Sequence, residues 1–329
     1  MNISTDNRLS QIKSWLDTVL PDKHFSLTVA SSDASFRRYF RVHQAQQSWI
    51  VMDAPPAQED IGPFITIAEF LKRCDINVPE IFARNSDAGF LLLTDLGDAS
   101  YLSVLDEISA DSLYQSAIDE IVRMQLGSLK EISLPLYDES LLQREMDLFP
   151  EWFLSRHLSL TAPSCLDEVY ALLIDNAHSQ PQCFVHRDFH SRNLMHQPDK
   201  PAGVIDFQDA VIGPVTYDLV SLLRDCYIEW PQQKLEQWLD YYLNQARNKG
   251  LLSNIEREQF QRWFDLMGLQ RHLKVLGIFC RLNYRDGKEA YMDDLALTLH
   301  YVLQVTAQYE ELAELHQFLT QTPEIMAIK

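Results

Sequence analysis

Cys183-Phe184-Val185-His186-Arg187-Asp188-Phe189-His190-Ser191-Arg192-Asn193-Leu194-Met195 starts apolar, breaks into a charged loop and closes on two apolar residues. Gly203-Val204-Ile205-Asp206-Phe207-Gln208-Asp209 follows, again an apolar run that ends on an acid. Asp188 and Asn193 stand five apart, and Asp206 comes thirteen after Asn193. The short apolar run at 202–205 predicts a strand that delivers Asp206 to the same place.

Phosphoryl transfer needs this set of groups. A carboxylate orients the acceptor hydroxyl, and an Asn and an Asp hold the magnesium that bridges the phosphates. The spacing resembles the catalytic and metal loops of the protein-kinase fold. Asp188 is the candidate acceptor-orienting base, with Asn193 and Asp206 as the metal ligands.

The totals narrow the partners. The 329 residues are enough for one or two full cores, and 46% apolar content is that of a globular protein. With 28 basic against 47 acidic residues the net charge is −19. That argues against a nucleic-acid backbone or an anionic membrane surface as partner. No window has the length and apolarity of a membrane span. The first fifteen residues read as neither a signal nor a transit peptide. The five cysteines are scattered, with no Cys-x-x-Cys pair, and are expected to be reduced core residues of a cytoplasmic protein. The expected partner is a small molecule, and the expected state a monomer.

Upstream of the loops the pattern is sheet-rich. Apolar residues at 9, 12, 15, 16, 19 and 20 predict an amphipathic helix over 7–20, closed by Pro21. Strands are expected at 25–29, 48–52, 77–81 and 89–93, with a helix at 61–72. Between the first two strands lies Ser31-Ser32-Asp33-Ala34-Ser35-Phe36-Arg37-Arg38-Tyr39-Phe40-Arg41-Val42. Small residues followed by an alternating aromatic strand suit a nucleotide loop, although the turn holds no Gly. Ser32, Ser35, Phe36, Arg37, Arg38 and Arg41 are the candidates there, through backbone N–H groups, hydroxyls and guanidinium groups. A plain hairpin with a solvated basic edge fits the same residues. The next strand, Trp49 to Asp53, lacks the Lys that holds phosphates in protein kinases. Glu69 either orients a phosphate-binding cation or faces solvent. Thr94, Asp95 and Leu96 form a candidate hinge that reads adenine with its backbone.

Beyond residue 101 the period becomes helical. Helices are expected over 112–126, 139–157, 166–177, 234–249, 256–284 and 293–316, and a buried helix starts at 214. Asp218 lies in its first turn, placed to accept backbone N–H bonds from its own helix or from the catalytic loop.

Together these motifs resemble the aminoglycoside/choline kinase group of the protein-kinase-like superfamily. In that family the catalytic loop reads His-x-Asp-x-x-x-x-Asn, matched by His186 to Asn193. The metal loop begins Ile-Asp, matched by Ile205-Asp206, and Phe207-Gln208-Asp209-Ala210 follows the family's wider form. Gly213-Pro214-Val215-Thr216-Tyr217-Asp218-Leu219 fits its Gly-x-x-x-Tyr/Phe-Asp-Leu. The resemblance covers essentially the whole chain. It implies an α+β protein-kinase-like fold of two lobes, a small antiparallel-sheet lobe at 1–97 and a larger helical lobe at 98–329. ATP and Mg2+ are the implied cofactors, with His186, Arg187 and Asp218 supporting the catalytic loop.

Within that family the chain is most similar to bacterial kinases that phosphorylate the anomeric hydroxyl of N-acetylmuramate and N-acetylglucosamine in peptidoglycan recycling. The residues that carry this are 32–41, Val51-Met52-Asp53-Ala54-Pro55-Pro56, Thr94-Asp95-Leu96-Gly97-Asp98 and Arg281-Leu282-Asn283-Tyr284-Arg285-Asp286-Gly287-Lys288. The missing strand Lys departs from the wider family. A lactyl carboxylate calls for an arginine fork, for which Arg281 and Arg285, four apart on a helix, are candidates, with Arg224 and Arg271 beside them. Asp209 either binds a sugar hydroxyl or caps its loop. Trp230 either stacks on a sugar face or packs. The rivals are an aminoglycoside or choline/homoserine type kinase, whose cationic acceptors call for clustered acids or an aromatic cage, a protein kinase, whose peptide platform has no room here, and a non-catalytic nucleotide-binding protein.

Overall fold

The computed structural model describes residues 6–32 and 36–328 of the chain. Asp6 caps α1 (Asn7–Val19) by accepting the N–H groups of Arg8 and Leu9. Five antiparallel strands follow: β1 (Ser26–Ser32), β2 (Arg38–Gln44), β3 (Gln47–Asp53), β4 (Ile81–Asn85) and β5 (Phe90–Thr94), in the order β1-β2-β3-β5-β4. The strand expected at 77–81 is instead at Ile81–Asn85, because Pro79 cannot donate to a ladder and the chain straightens only beyond it.

Both sheet faces are covered, so β5 reads as an unbroken apolar run. Leu9, Ile12, Trp15 and Leu16 of α1 pack on Phe40, Val42, Val51 and Leu92. On the other face lies α2 (Gly62–Arg73). Its Phe70 stacks on Phe184 at 5.4 Å and its Phe64 meets Phe207 at 4.8 Å, so the sheet is joined to the strands that carry both acidic loops. Glu69 is on the exposed side of α2.

From Tyr101 the chain is helical: α3 (Tyr101–Val104), α4 (Ala110–Gln125), α5 (Glu139–Met146), a π-helical stretch (Phe149–His157) and α6 (Leu166–Ser179). The single helix expected over 139–157 changes winding at Phe149-Pro150, where Pro lacks the N–H to continue an α-helix. We propose to divide the lobes in the connection after β5, with 1–97 and 98–329 on its two sides.

Two short ladders hold the polar loops. In one, β6 (Gln182–Val185) pairs with β9 (Val211–Pro214); in the other, β7 (Leu194–Met195) pairs with β8 (Gly203–Val204). Beyond them run α7 (Tyr217–Leu223), α8 (Gln232–Asn248), α9 (Arg257–Asp286), α10 (Leu295–Thr306), α11 (Ala313–Gln321) and α12 (Pro323–Met326). Residues expected to form one helix over 293–316 are broken between α10 and α11 by a turn at 307–312. The thirty residues of α9 have apolar side chains on every side, and most are buried. A helix of that kind runs through a core, so its polar residues lie inside the protein too. Among the described residues no helix is long and apolar enough to cross a membrane. All five cysteines are free, and only Cys74 is more than slightly exposed.

Candidate active site

Strand β6 ends at Val185 and the chain turns sharply, with Arg187 in the left-handed region at φ 77°. That conformation is unfavourable for a residue with a Cβ, and hydrogen bonds hold it. Asp218 Oδ2 accepts His186 N–H at 2.7 Å and Oδ1 accepts Arg187 N–H at 3.0 Å. Of the two roles open to Asp218, it therefore serves the catalytic loop. Burial pushes its carboxyl up to about 6, against the fields of His186 and the two N–H donors. His186 Nδ1 accepts Asp188 N–H at 3.2 Å, which makes Nε2 the protonated nitrogen, donating to Ile205 O at 3.0 Å. Burial holds this imidazole below its usual range. It ties one acidic loop to the other through their backbones.

The second ladder sets the spacing between Asn193 and Asp206. Beyond the β7–β8 pair, Ile205 N–H donates to Asn193 O at 3.1 Å, which brings the next side chain, Asp206, alongside. Asn193 Nδ2 is 3.4 Å from Asp206 Oδ2 and donates to Asp188 O at 3.0 Å. Asp206 is also left-handed, at φ 65°, and accepts from Gln208 Nε2 at 2.8 Å. Because the Asn193 nitrogen is engaged, its amide oxygen is left for another partner. An amide oxygen beside a carboxylate is a hard-oxygen pair suited to Mg2+, with the remaining positions left to phosphate oxygens and water.

Asp188, Asn193, Asp206 and Asp209 line one cleft of about 730 Å³ between the sheet and the helices. Thr94, Asp95, Leu96, Arg37 and Arg41 line its sheet side, and Arg192, Arg271, Lys274 and Arg281 its helical side. Burial on its own would raise Asp188. The fields of Lys274, His190, Arg271 and Arg187 outweigh it and hold the carboxyl below its ordinary value, so it is ionised at neutral pH.

Several expected residues lie elsewhere. Strand alternation sends Arg38 to the outer face with Phe40 and Val42, where it binds Asp53 Oδ2 at 2.6 Å and pairs with Asp6. Asp53 is thus locked between Arg38 and Arg8. Phe36 is exposed and outside the cleft lining. Ser35 lies outside the described residues, as does the side chain of Ser32. Arg41 faces the cleft, but binds Asp95 at 2.7 Å and 3.1 Å and pairs with Asp98. Arg224 is buried on Asp265 at 2.6 Å and does not line the cleft. Trp230 donates to Tyr114 Oη at 2.8 Å and packs edge-on against Trp238. Arg285 pairs with the neighbouring Asp286 at the protein surface. Arg38, Arg41, Arg224, Trp230 and Arg285 were expected at the nucleotide or the substrate, and each of the five is held by a nearer partner.

Other residues of the site were not foreseen. Glu145 binds the Arg187 guanidinium, Lys274 Nζ at 3.0 Å and Tyr137 Oη, and so joins α5 and α9 to the loop that carries Asp188. Burial would raise Glu145, but the fields of Lys274 and Arg187 keep it low. Asp225 accepts Ser191 N–H at 2.9 Å and holds the far end of the same loop. The available signal was α9 itself: a helix apolar on all sides makes any Lys or Arg in it a buried charge in need of a reason.

The chain matches the phosphotransferase enzyme family over residues 26–259. It is 46% identical to the N-acetylmuramate/N-acetylglucosamine kinase of Pseudomonas putida, with 96% of this chain and 97% of that protein aligned. Its fold is similar to that of the choline kinase LicA from Streptococcus pneumoniae, with a TM-score of 0.65 at 13% identity over 94% of this chain and 100% of that one. ADP-bound aminoglycoside phosphotransferase APH(2'')-Ib is also similar, with a TM-score of 0.59 at 15% identity over 90% and 98%. A protein-kinase-like fold, a match across most of the chain and a near full-length relative all agree: this chain belongs to the phosphotransferase enzyme family.

Proposed function

We propose that the protein is an ATP-dependent, Mg2+-requiring kinase that phosphorylates the anomeric hydroxyl of N-acetylmuramate and N-acetylglucosamine, acting in the cytoplasm on sugars recovered from peptidoglycan. The near full-length similarity to a kinase of that name carries the reading.

The cleft supports it. Asp188 is ionised and held from both sides, so it can take the hydrogen bond of an acceptor hydroxyl and later its proton. The transition state of phosphoryl transfer is loose, so early deprotonation is not needed, and the anomeric hydroxyl is the most acidic on the sugar. Asn193 and Asp206 would hold the metal, which when bound neutralises charge on the phosphates. Thr94 to Leu96 would meet adenine, and Arg37 is the sheet-side cation nearest the acidic loops, 3.9 Å from Asp209. Asp209 is well exposed and placed to take a sugar hydroxyl. Arg281, whose Nε is buried without a hydrogen-bond partner, would receive the lactyl carboxylate.

A cationic acceptor fits less well. Tyr227, Phe279 and Tyr291 do make an aromatic wall in the cleft. Its cation position is taken by Arg192, 3.4 Å from the Tyr227 ring centre.

The test is ADP release with ATP, Mg2+ and a panel of N-acetylmuramate, N-acetylglucosamine, choline and an aminoglycoside. Turnover is expected on the two sugars, with an acid-labile product whose phosphorus spectrum shows coupling to H1. Turnover confined to choline or the aminoglycoside rejects the sugar reading, and phosphate found on O6 rejects the anomeric one.

A further inference from the structure

The cleft cations differ in how they are neutralised. Arg41 is bound to Asp95, Lys274 to Glu145, Arg192 lies 3.6 Å from Asp294, and Arg37 is within 4 Å of Glu59 and Asp209. Arg271 is only 5% exposed, yet no carboxylate lies within 4 Å of it among the described residues. Its Nε donates to Ser221 Oγ at 2.6 Å and its Nη1 to Cys226 Sγ at 3.7 Å, both uncharged. These bonds fix the plane of the guanidinium and leave Nη2 without a partner. The side chain lines the cleft together with Asp188, Asn193 and Asp206. It feels the charges of Asp188 and Asp225 without touching either.

A buried guanidinium without a counter-ion is costly. Such a group stays in a fold where an anion arrives from outside. Two anions can enter this cleft, the nucleotide's phosphates and an acceptor's carboxylate. Position on α9 separates them. Arg271 is one helical turn from Lys274, at the end where Asp188 lies. Arg281 is ten residues on, about 15 Å further along the axis. The group that meets Arg271 is therefore the one in transit to the hydroxyl held by Asp188.

We propose that Arg271 is a catalytic residue that binds the transferring γ-phosphoryl group from the helical side of the cleft. This rests on the kinase reading. The sugar oxygen forms its bond to the γ-phosphorus, the bond from that phosphorus to the β,γ-bridging oxygen breaks, and ADP leaves with the electron pair. The hydroxyl proton passes to Asp188. Arg271 Nη2 donates to an equatorial oxygen, on which charge gathers in the transition state. Ser221 and Cys226 hold the guanidinium in place beforehand.

The test compares R271A, R271Q and R271K with wild type. kcat is expected to fall about 10²–10³-fold in R271A and R271Q, equally on N-acetylmuramate and N-acetylglucosamine, with KM for sugar nearly unchanged. Guanidine added to R271A should restore part of the rate. Affinity for ADP with Mg2+ and fluoroaluminate should fall to that for ADP with Mg2+, while ADP binding itself holds. Thermal midpoints should stay close to wild type, because the fold holds Arg271 by two uncharged hydrogen bonds and no ion pair. A loss confined to N-acetylmuramate would make Arg271 a carboxylate reader and overturn the proposal. So would a lower midpoint in both R271A and R271Q without guanidine rescue. The fluoroaluminate arm needs no sugar, so it still reports on Arg271 if wild type turns over neither one.

Discussion

The sheet side and the helical side of the cleft both present arginines, and they treat them in opposite ways. On the sheet, Arg38 on the outer face is taken by Asp53 and Asp6, and Arg41 on the cleft face by Asp95 and Asp98. On the helical side Arg271 and Arg281 line the cleft with no carboxylate within 4 Å among the described residues. The first pair was the more conspicuous in the sequence, crowded beside a small-residue turn. Each of its arginines is paired with two acids of the fold. The second pair lies on one long helix, Arg271 buried and Arg281 half-buried, with no such acid beside either among the described residues. An arginine's sequence neighbours say less about its role than which acids the fold brings to it.

The largest effects should come where the two sides meet. Replacing Asp188 by Asn keeps the shape of the loop and removes the proton acceptor, so kcat should fall about 10²–10⁴-fold with ATP affinity held, as steady-state kinetics would show. Asp206→Ala should fall at least as far, and raising Mg2+ should recover only part of the loss. If Asp188→Asn keeps near wild-type turnover, Asp188 is not the acceptor-orienting base.

The sheet side should break as a structure. Asp95 is nearly buried; burial would raise its carboxyl, but Arg41, Ser48 and the Gly97 N–H hold it below the ordinary value and so keep it charged. Arg41→Ala would leave that carboxylate unpaired, at about 3 kcal/mol. The R41A/D95A double variant should recover much of this, and a thermodynamic cycle by urea unfolding measures the coupling. Equal losses in the two variants would mean that Arg41 matters for something other than Asp95.

The acidic loops were legible because their chemistry is dense in sequence. Asp188, Asn193 and Asp206 fall within nineteen residues, and local hairpin geometry brings them together. The period-two alternation of β2 was equally readable. It sends 37, 39 and 41 to the cleft and 38 to the outer face, so Arg38 could have been set aside from sequence. Glu145, Asp225 and Lys274 were not readable in that way. Their partners lie dozens of residues off, and only the packing of α5 and α9 against the loop brings them into contact. Helix ends failed for local reasons, a proline at 150 and a turn at 307–312.

Asp218 offers a pH test of the loop's support. Its carboxyl is raised to about 6, chiefly by burial. A carboxyl raised on folding binds more protons in the native state, so its share of stability is greatest below the unfolded value near 4 and falls as pH rises to about 6. The slope cannot exceed about 1.4 kcal/mol per pH unit for one proton. Asp218→Asn should flatten stability over that window, and a parallel curve would place the proton elsewhere.

The smallest effects belong to the outer end of α9, and there the contrast between two arginines four apart carries the argument. Arg281 faces the cleft with its Nε unpartnered, while Arg285 lies at the surface against Asp286. A charge-assisted hydrogen bond contributes about 1.5–3 kcal/mol, so Arg281→Ala should lower kcat/KM for N-acetylmuramate roughly 10- to 150-fold. N-acetylglucosamine has no carboxylate to lose, and should stay within about twofold. Arg285→Ala removes only an exposed ion pair and should leave both sugars within about twofold. Equal losses on both sugars in Arg281→Ala would take the carboxylate away from Arg281. A selective loss in Arg285→Ala would mean that the helix end turns toward the sugar when it binds, and that the mouth of the cleft is shaped by the substrate it admits.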